Sequence, residues 1–144
     1  MTTFADSSAV VKLYVEEPDS PEVGALGEPF TVSRITRVEV VSAFWRKVRM
    51  GEVSAAAAGG LSDEFSADWW GVGRPPRFNV VGPHPSILED ACRLLPLYGL
   101  RAFDAIQLAS AVAARTADPS CDRFACYDER LAQAATAERF RPAV

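Results

Sequence analysis

Four carboxylates stand out by the company they keep. Asp6 directly follows the apolar run "TFA", and Asp128 directly follows "FACY". Both runs read as short strands, so each would carry its carboxylate to the carboxyl end of a strand, where open α/β sheets bind their ligands. Glu39 falls early in a helical pattern that begins at Arg34, and Asp104 falls early in "LRAFDAIQLASAVAAR", a segment that is apolar almost all the way round. Each acid also has a plain structural role open to it. Asp6 and Asp128 suit helix N-caps, Asp104 suits the positive end of a helix dipole, and Glu39 could lie on a solvated stripe. Taken together they suggest more, because like charges gathered on one rim repel and need a counter-charge. A divalent cation supplies one, and oxygen-only donors favour Mg²⁺ or Mn²⁺ over zinc. Such an ion can activate water and stabilise charge on a phosphate under attack.

The elements that must position these acids are legible in the hydrophobic pattern. After the first strand, Val10, Val11, Leu13 and Tyr14 suit a helix buried on one side, and "SPEVGALG" could hold a short helix between turns. "FTVS" is a second strand. Val38, Val41, Phe44, Trp45 and Val48 recur at three- and four-residue intervals to about Met50. "SAAAAGGLSDEFSADWW" is a further helix, weakened by Gly59 and Gly60, before a loop and the strand "FNVVG". Ser86, with Glu89 three residues on, predicts a capped helix that runs to Leu95 before Pro96 and Gly99. The Asp104 helix, the strand "RFACYD", the helix "ERLAQAATAE" and a possible edge strand in "RFRPAV" complete the chain. Strands alternating with helices predict an α/β domain over residues 1–144, with a mainly parallel central sheet flanked by helices.

At 144 residues and 49% hydrophobic, the chain suits one domain with a substantial core. Its net charge of −4 argues against nucleic-acid binding by overall charge alone. Such a partner would require a local basic patch, a bridging metal or a second chain. Cys92, Cys121 and Cys126 are odd in number and lack CxxC spacing, and His84 is the only histidine, which argues against zinc and a disulfide framework. No leader-like segment opens the sequence and no apolar run approaches the ~18 residues of a membrane span, so the expected setting is the cytoplasm, away from the membrane.

"FADSSAVVKLYVEE", "SRITRVEVVSAFWRKVRMGEVS", "LRAFDAIQLASAV" and "FACYDERLAQAA" together resemble the PIN domain, and within it the VapC-type toxin ribonucleases of type II toxin–antitoxin pairs. The resemblance runs from Thr3 to Ala135, with residues 55–85 similar only in predicted architecture. It implies that Asp6, Glu39, Asp104 and Asp128 form an acidic quartet around Mg²⁺ or Mn²⁺, and that Ser8 helps to order it. The implied activity is metal-dependent endonucleolytic cleavage of single-stranded regions of RNA, whether tRNA, rRNA or mRNA. The implied partners are a cognate VapB-type antitoxin, whose arginine could pair with the acidic cluster, and a second copy of the chain, with Phe44 and Trp45 contributing to the dimer. Two positions depart from the pattern. Cys126 stands where many relatives have Thr or Ser, and Gln107 stands where many have His.

Other residues carry weaker signals. Arg34, Arg37, Arg46, Lys47 and Arg49 give the Glu39 helix a basic side that suits either solvent or phosphate. Trp69 and Trp70 could stack on bases or fill the core, and His84, between two prolines, reads as a loop residue. Gly59–Gly60 and "GVG" lack the strand and lysine context of a phosphate loop. Two rival readings remain. A haloacid dehalogenase-like phosphatase would want a second acid where Ser8 stands, and a catalytically silent PIN-like domain that binds RNA or protein would have no need of four gathered acids.

Overall fold

The computed structural model describes residues 2–144. In chain order its elements are β1 (Thr3–Ala5), α1 (Ser7–Val11), α2 (Ser20–Gly24), β2 (Phe30–Ser33), α3 (Thr36–Arg49), α4 (Ala55–Trp70), β3 (Phe78–Val81), α5 (Pro85–Tyr98), α6 (Ala102–Ala117), β4 (Arg123–Ala125), α7 (Glu129–Ala137) and β5 (Arg141–Pro142). The strands form one sheet in the order β3-β2-β1-β4-β5, and every pairing is parallel. All five carboxyl ends therefore open on one edge. The central strand β1 is in register with β4, Phe4 opposite Phe124, and their rings stack 5.4 Å apart.

Alternation along the strands divides the core into two layers. Phe4, Phe124 and Cys126 face one side, where Leu94, Leu108, Leu131 and Phe140 pack. Ala5, Phe30, Val32 and Ala125 face the other, with Val10, Val40, Phe44, Phe65 and Trp69. That second layer is rich in edge-to-face aromatic contacts, Phe65 touching Tyr14, Phe44, Trp69 and Phe78 at 5.4–6.5 Å. The polar residues of β2 point the opposite way from Phe30 and Val32. Ser33 there accepts a hydrogen bond from Ser110 of α6 at 2.9 Å, so the inward serine is satisfied inside the fold.

Several elements differ from the sequence reading. The first helix stops at Val11, and residues 12–15 continue as turns with Leu13, Tyr14 and Val15 packed against the core. Helix α4 runs unbroken through Gly59 and Gly60, since Ala58, Phe65 and Trp69 anchor it by burial. It ends at Gly71 in the left-handed conformation, with φ +73°, where a Cβ would lie 2.7 Å from Pro76. Ser86 is not the cap of α5. His84 holds that position without a side-chain cap bond, because Pro85 occupies the first helical residue and sets the entry. The helix then carries Pro96 in its last turn and runs to Tyr98, capped by Gly99, rather than stopping at Leu95. Asp68 ties the loop after α4 to the body of the domain, accepting from Tyr14 Oη at 2.8 Å, from Arg77 at 3.3 Å and from Arg74.

Candidate functional site

The four acids reach one place because four helices begin there. Asp6 caps α1, accepting from the Ala9 amide at 3.1 Å, and Asp128 caps α7, accepting from the Leu131 amide at 2.9 Å. Glu39 and Asp104 lie in the first turns of α3 and α6. The structural and functional readings of Asp6 and Asp128 are therefore compatible, since each uses one oxygen for its cap. The positive ends of the four helix dipoles partly balance the gathered negative charge.

All four carboxylates line a single cleft of about 790 Å³ at the carboxyl edge of the sheet. Its floor also includes Ser7 and Ser8, its α3 wall Val38, Ser42, Arg46 and Lys47, and its α6 wall Arg101 and Phe103. The consecutive serines are divided between two acids. Ser7 donates to Glu39, and Ser8 donates to Asp6 Oδ1 at 2.6 Å while accepting from the Tyr127 amide at 2.9 Å. Gln107 is fully buried and donates to Thr36 at 3.0 Å and to Glu39 Oε2 at 3.4 Å, so the residue that departs from the resemblance braces an acid of the cluster. Cys126 is buried behind Asp128, whose amide donates to its sulfur at 3.3 Å, and burial pushes the thiol up so that it stays neutral.

The electrostatics show acids short of positive charge. Asp6 is only 3% exposed. Burial pushes it up to about 7, against the hydrogen bonds from Ser8 and the Ala9 amide that favour its charged form. Burial raises Glu39 too, although Ser7 and Gln107 donate to it. Asp104 is raised by burial and by the neighbouring Asp128, with Arg101 pulling the other way. Arg101 reaches Asp104 at 3.4 Å and Asp128 at 3.6 Å, so a highly exposed guanidinium provides the nearest cationic balance.

The donor set suits a hard divalent cation. It is made of carboxylate oxygens, and Glu39 Oε1 is buried with no hydrogen-bond partner among the described residues. As the side chains stand, however, no three His, Cys, Asp or Glu among the described residues are grouped closely enough to hold an ion. Ligation would require Arg101 to yield and the carboxylates to draw together.

Of the basic residues read along the Glu39 helix as candidates for phosphate, Arg46 and Lys47 line the cleft. Arg37 turns to Ser66 at 2.6 Å and lies over the Phe65 ring, and Arg34 does not line the cleft. Trp69 is core and Trp70 is exposed away from the cleft, while Phe44 is fully buried and so unavailable to a dimer contact. The sequence reading missed Ser7, Arg101 and Phe103. Their signal was adjacency: a serine doublet beside Asp6, and an arginine and a phenylalanine within one turn of Asp104.

No family model matches the chain, and no curated protein matches it. Among solved structures, a chain of a toxin–antitoxin complex from Klebsiella pneumoniae superposes with a TM-score of 0.59 at 17% identity, over 88% of this chain and 86% of that one. The two chains share a fold. No helix among the described residues is long and apolar enough to cross a membrane.

Proposed function

We propose that this protein is the toxin of a type II toxin–antitoxin pair, a PIN domain of the VapC type, and that it cleaves single-stranded regions of RNA with Mg²⁺ or Mn²⁺. One observation carries the reading: carboxylates distant in sequence, Asp6, Glu39, Asp104 and Asp128, line one cleft at the carboxyl edge of a parallel sheet. A cluster of buried acids without matching cations is unfavourable unless something else fills it. These four residues would hold the ion, which when bound supplies Lewis acidity and an activated water. Ser8 holds Asp6, and Ser7 with Gln107 holds Glu39, so two of the four acids are oriented by neighbouring side chains.

The shared fold with a chain from a toxin–antitoxin complex supports an antitoxin as partner. An antitoxin arginine would compete with Arg101 for Asp104 and Asp128. A homodimer would draw on Trp45, 40% exposed on α3, in place of the buried Phe44. The lack of a preformed three-ligand cluster favours a second reading, a silent domain of the same fold that binds RNA or protein without cutting. One assay separates them. A panel of structured RNAs is incubated with and without Mn²⁺, wild type beside Asp6→Ala. Cuts that need both the cation and Asp6 support the nuclease; an intact panel under all conditions leaves the silent domain.

A further inference from the structure

Phe103 is anomalous. Of the eight phenylalanines in the chain, seven are buried and Phe103 is 57% exposed. It belongs to the first turn of α6, one residue before Asp104, and its neighbours Ala105, Leu108 and Ala109 take the core-facing positions of that helix. An exposed ring there contributes nothing to the core. Val38, 68% exposed, stands on the α3 wall of the same cleft, so both walls above the acidic floor carry an apolar side chain.

The cations around this rim are unevenly engaged. Lys12 is paired with Glu17 and Asp19, and Lys47 with Glu17 and Glu52. The Arg46 side chain makes no hydrogen bond or ion pair with a described residue, and it lies seven residues from Glu39, two turns or about 10 Å along α3. Arg101 is 82% exposed and makes only long contacts. An aromatic ring and two guanidiniums above a floor of acids, Arg46 with its side chain unpaired among the described residues and Arg101 held only by long, exposed contacts to Asp104 and Asp128, match a polyanion that carries flat bases. A cationic apolar peptide would gain from the floor and the ring, but it would meet both arginines at the rim.

We propose that Phe103 is a stacking platform for one nucleobase of a single-stranded RNA crossing the cleft, with Arg101 and Arg46 taking the phosphates on either side. The inference rests on the ribonuclease reading and adds to it a residue that selects unpaired RNA. A base must leave its helix to lie on the ring, so a duplex is refused at this point. Stacking on an aromatic side chain is sequence-tolerant, which makes Phe103 a determinant of strandedness rather than of base identity.

The test uses an RNA that the wild-type protein cleaves with Mn²⁺, under single-turnover conditions. Phe103→Ala should raise the half-saturating protein concentration about 5- to 150-fold while changing the maximal rate much less. Phe103→Trp should restore wild-type saturation, and both variants should melt as the wild type does because the side chain is outside the core. Removing single bases along the RNA should reveal one position near the cut whose loss matches that of Phe103→Ala and adds nothing to it. Equal saturation by wild type and Phe103→Ala, or additive losses at every abasic position, would overturn the platform and leave the nuclease reading intact. A Phe103→Ala protein weakened only towards an antitoxin peptide would overturn it too. Absence of Mn²⁺-dependent cleavage by the wild type would remove both.

Discussion

Replacing Asp6 by Asn should stabilise the protein, and should do so more as the pH rises. Asn caps a helix about as well as Asp, so the bond to the Ala9 amide survives, and Ser8 can donate to the amide oxygen. What disappears is a buried charge. Burial pushes Asp6 from 3.8 up to about 7. The folded state thus binds this proton more tightly than the unfolded state, and the stability it brings is complete below about pH 4 and lost as the pH climbs through 7. At about 1.36 kcal/mol per pH unit the full loss is about 4 kcal/mol, of which roughly 1.5 has gone by pH 5 and nearly all by pH 8. In urea titrations with a chelator present, the stability advantage of Asp6→Asn over wild type should therefore grow by about 2.5 kcal/mol between pH 5 and pH 8. Adding Mn²⁺ at pH 8 should then stabilise the wild type and leave the variant nearly unchanged. Parallel stability curves for the two proteins from pH 5 to 8 would refute the reasoning.

Asp104→Asn should melt close to wild type, since the side chain is half-buried and its nearest cation is the exposed Arg101, yet lose Mn²⁺-dependent RNA cleavage by about 100-fold or more on a gel assay. Asp68→Ala should destabilise by about 3 kcal/mol in chemical denaturation, because it leaves Arg77 and the Tyr14 hydroxyl without their buried acceptor. Gly71→Ala should lower the melting temperature through strain at φ +73° and contact with Pro76, whereas Gly59→Ala, in open space within α4, should raise stability by about 0.5–1 kcal/mol.

Much of this architecture was legible because burial on both faces of a parallel sheet leaves a strong imprint. "FTVS" is the strand β2 residue for residue, "FNVVG" is β3 but for its final glycine, and helices α3, α4, α6 and α7 lie where their apolar spacing puts them. The entry to α5 was misread because a capping box at Ser86 competes with Pro85, and proline at the first helical position wins by fixing the backbone without a side-chain bond. The gathering of Asp6, Glu39, Asp104 and Asp128 on one cleft was inferable from two facts, strand ends and helix starts. Direction was not. Arg37 and Arg46 lie on the same basic helix, but nine residues are two and a half turns, so Arg37 turns to α4 while Arg46 faces the cleft. Nor could periodicity reveal Gln107, which reads as one more position on an apolar helix and proves to be the buried amide that braces Glu39 against Thr36.

The most direct test is equilibrium binding of Mn²⁺, followed by the electron paramagnetic resonance signal of the free ion, for wild type and for Asp6→Asn, Glu39→Gln, Asp104→Asn and Asp128→Asn. Saturable binding by the wild type, weakened about 10- to 100-fold or more by each amide, is the expected result. A wild type that binds no Mn²⁺, or four amide variants that bind it as the wild type does, would contradict a divalent-cation centre in this cleft.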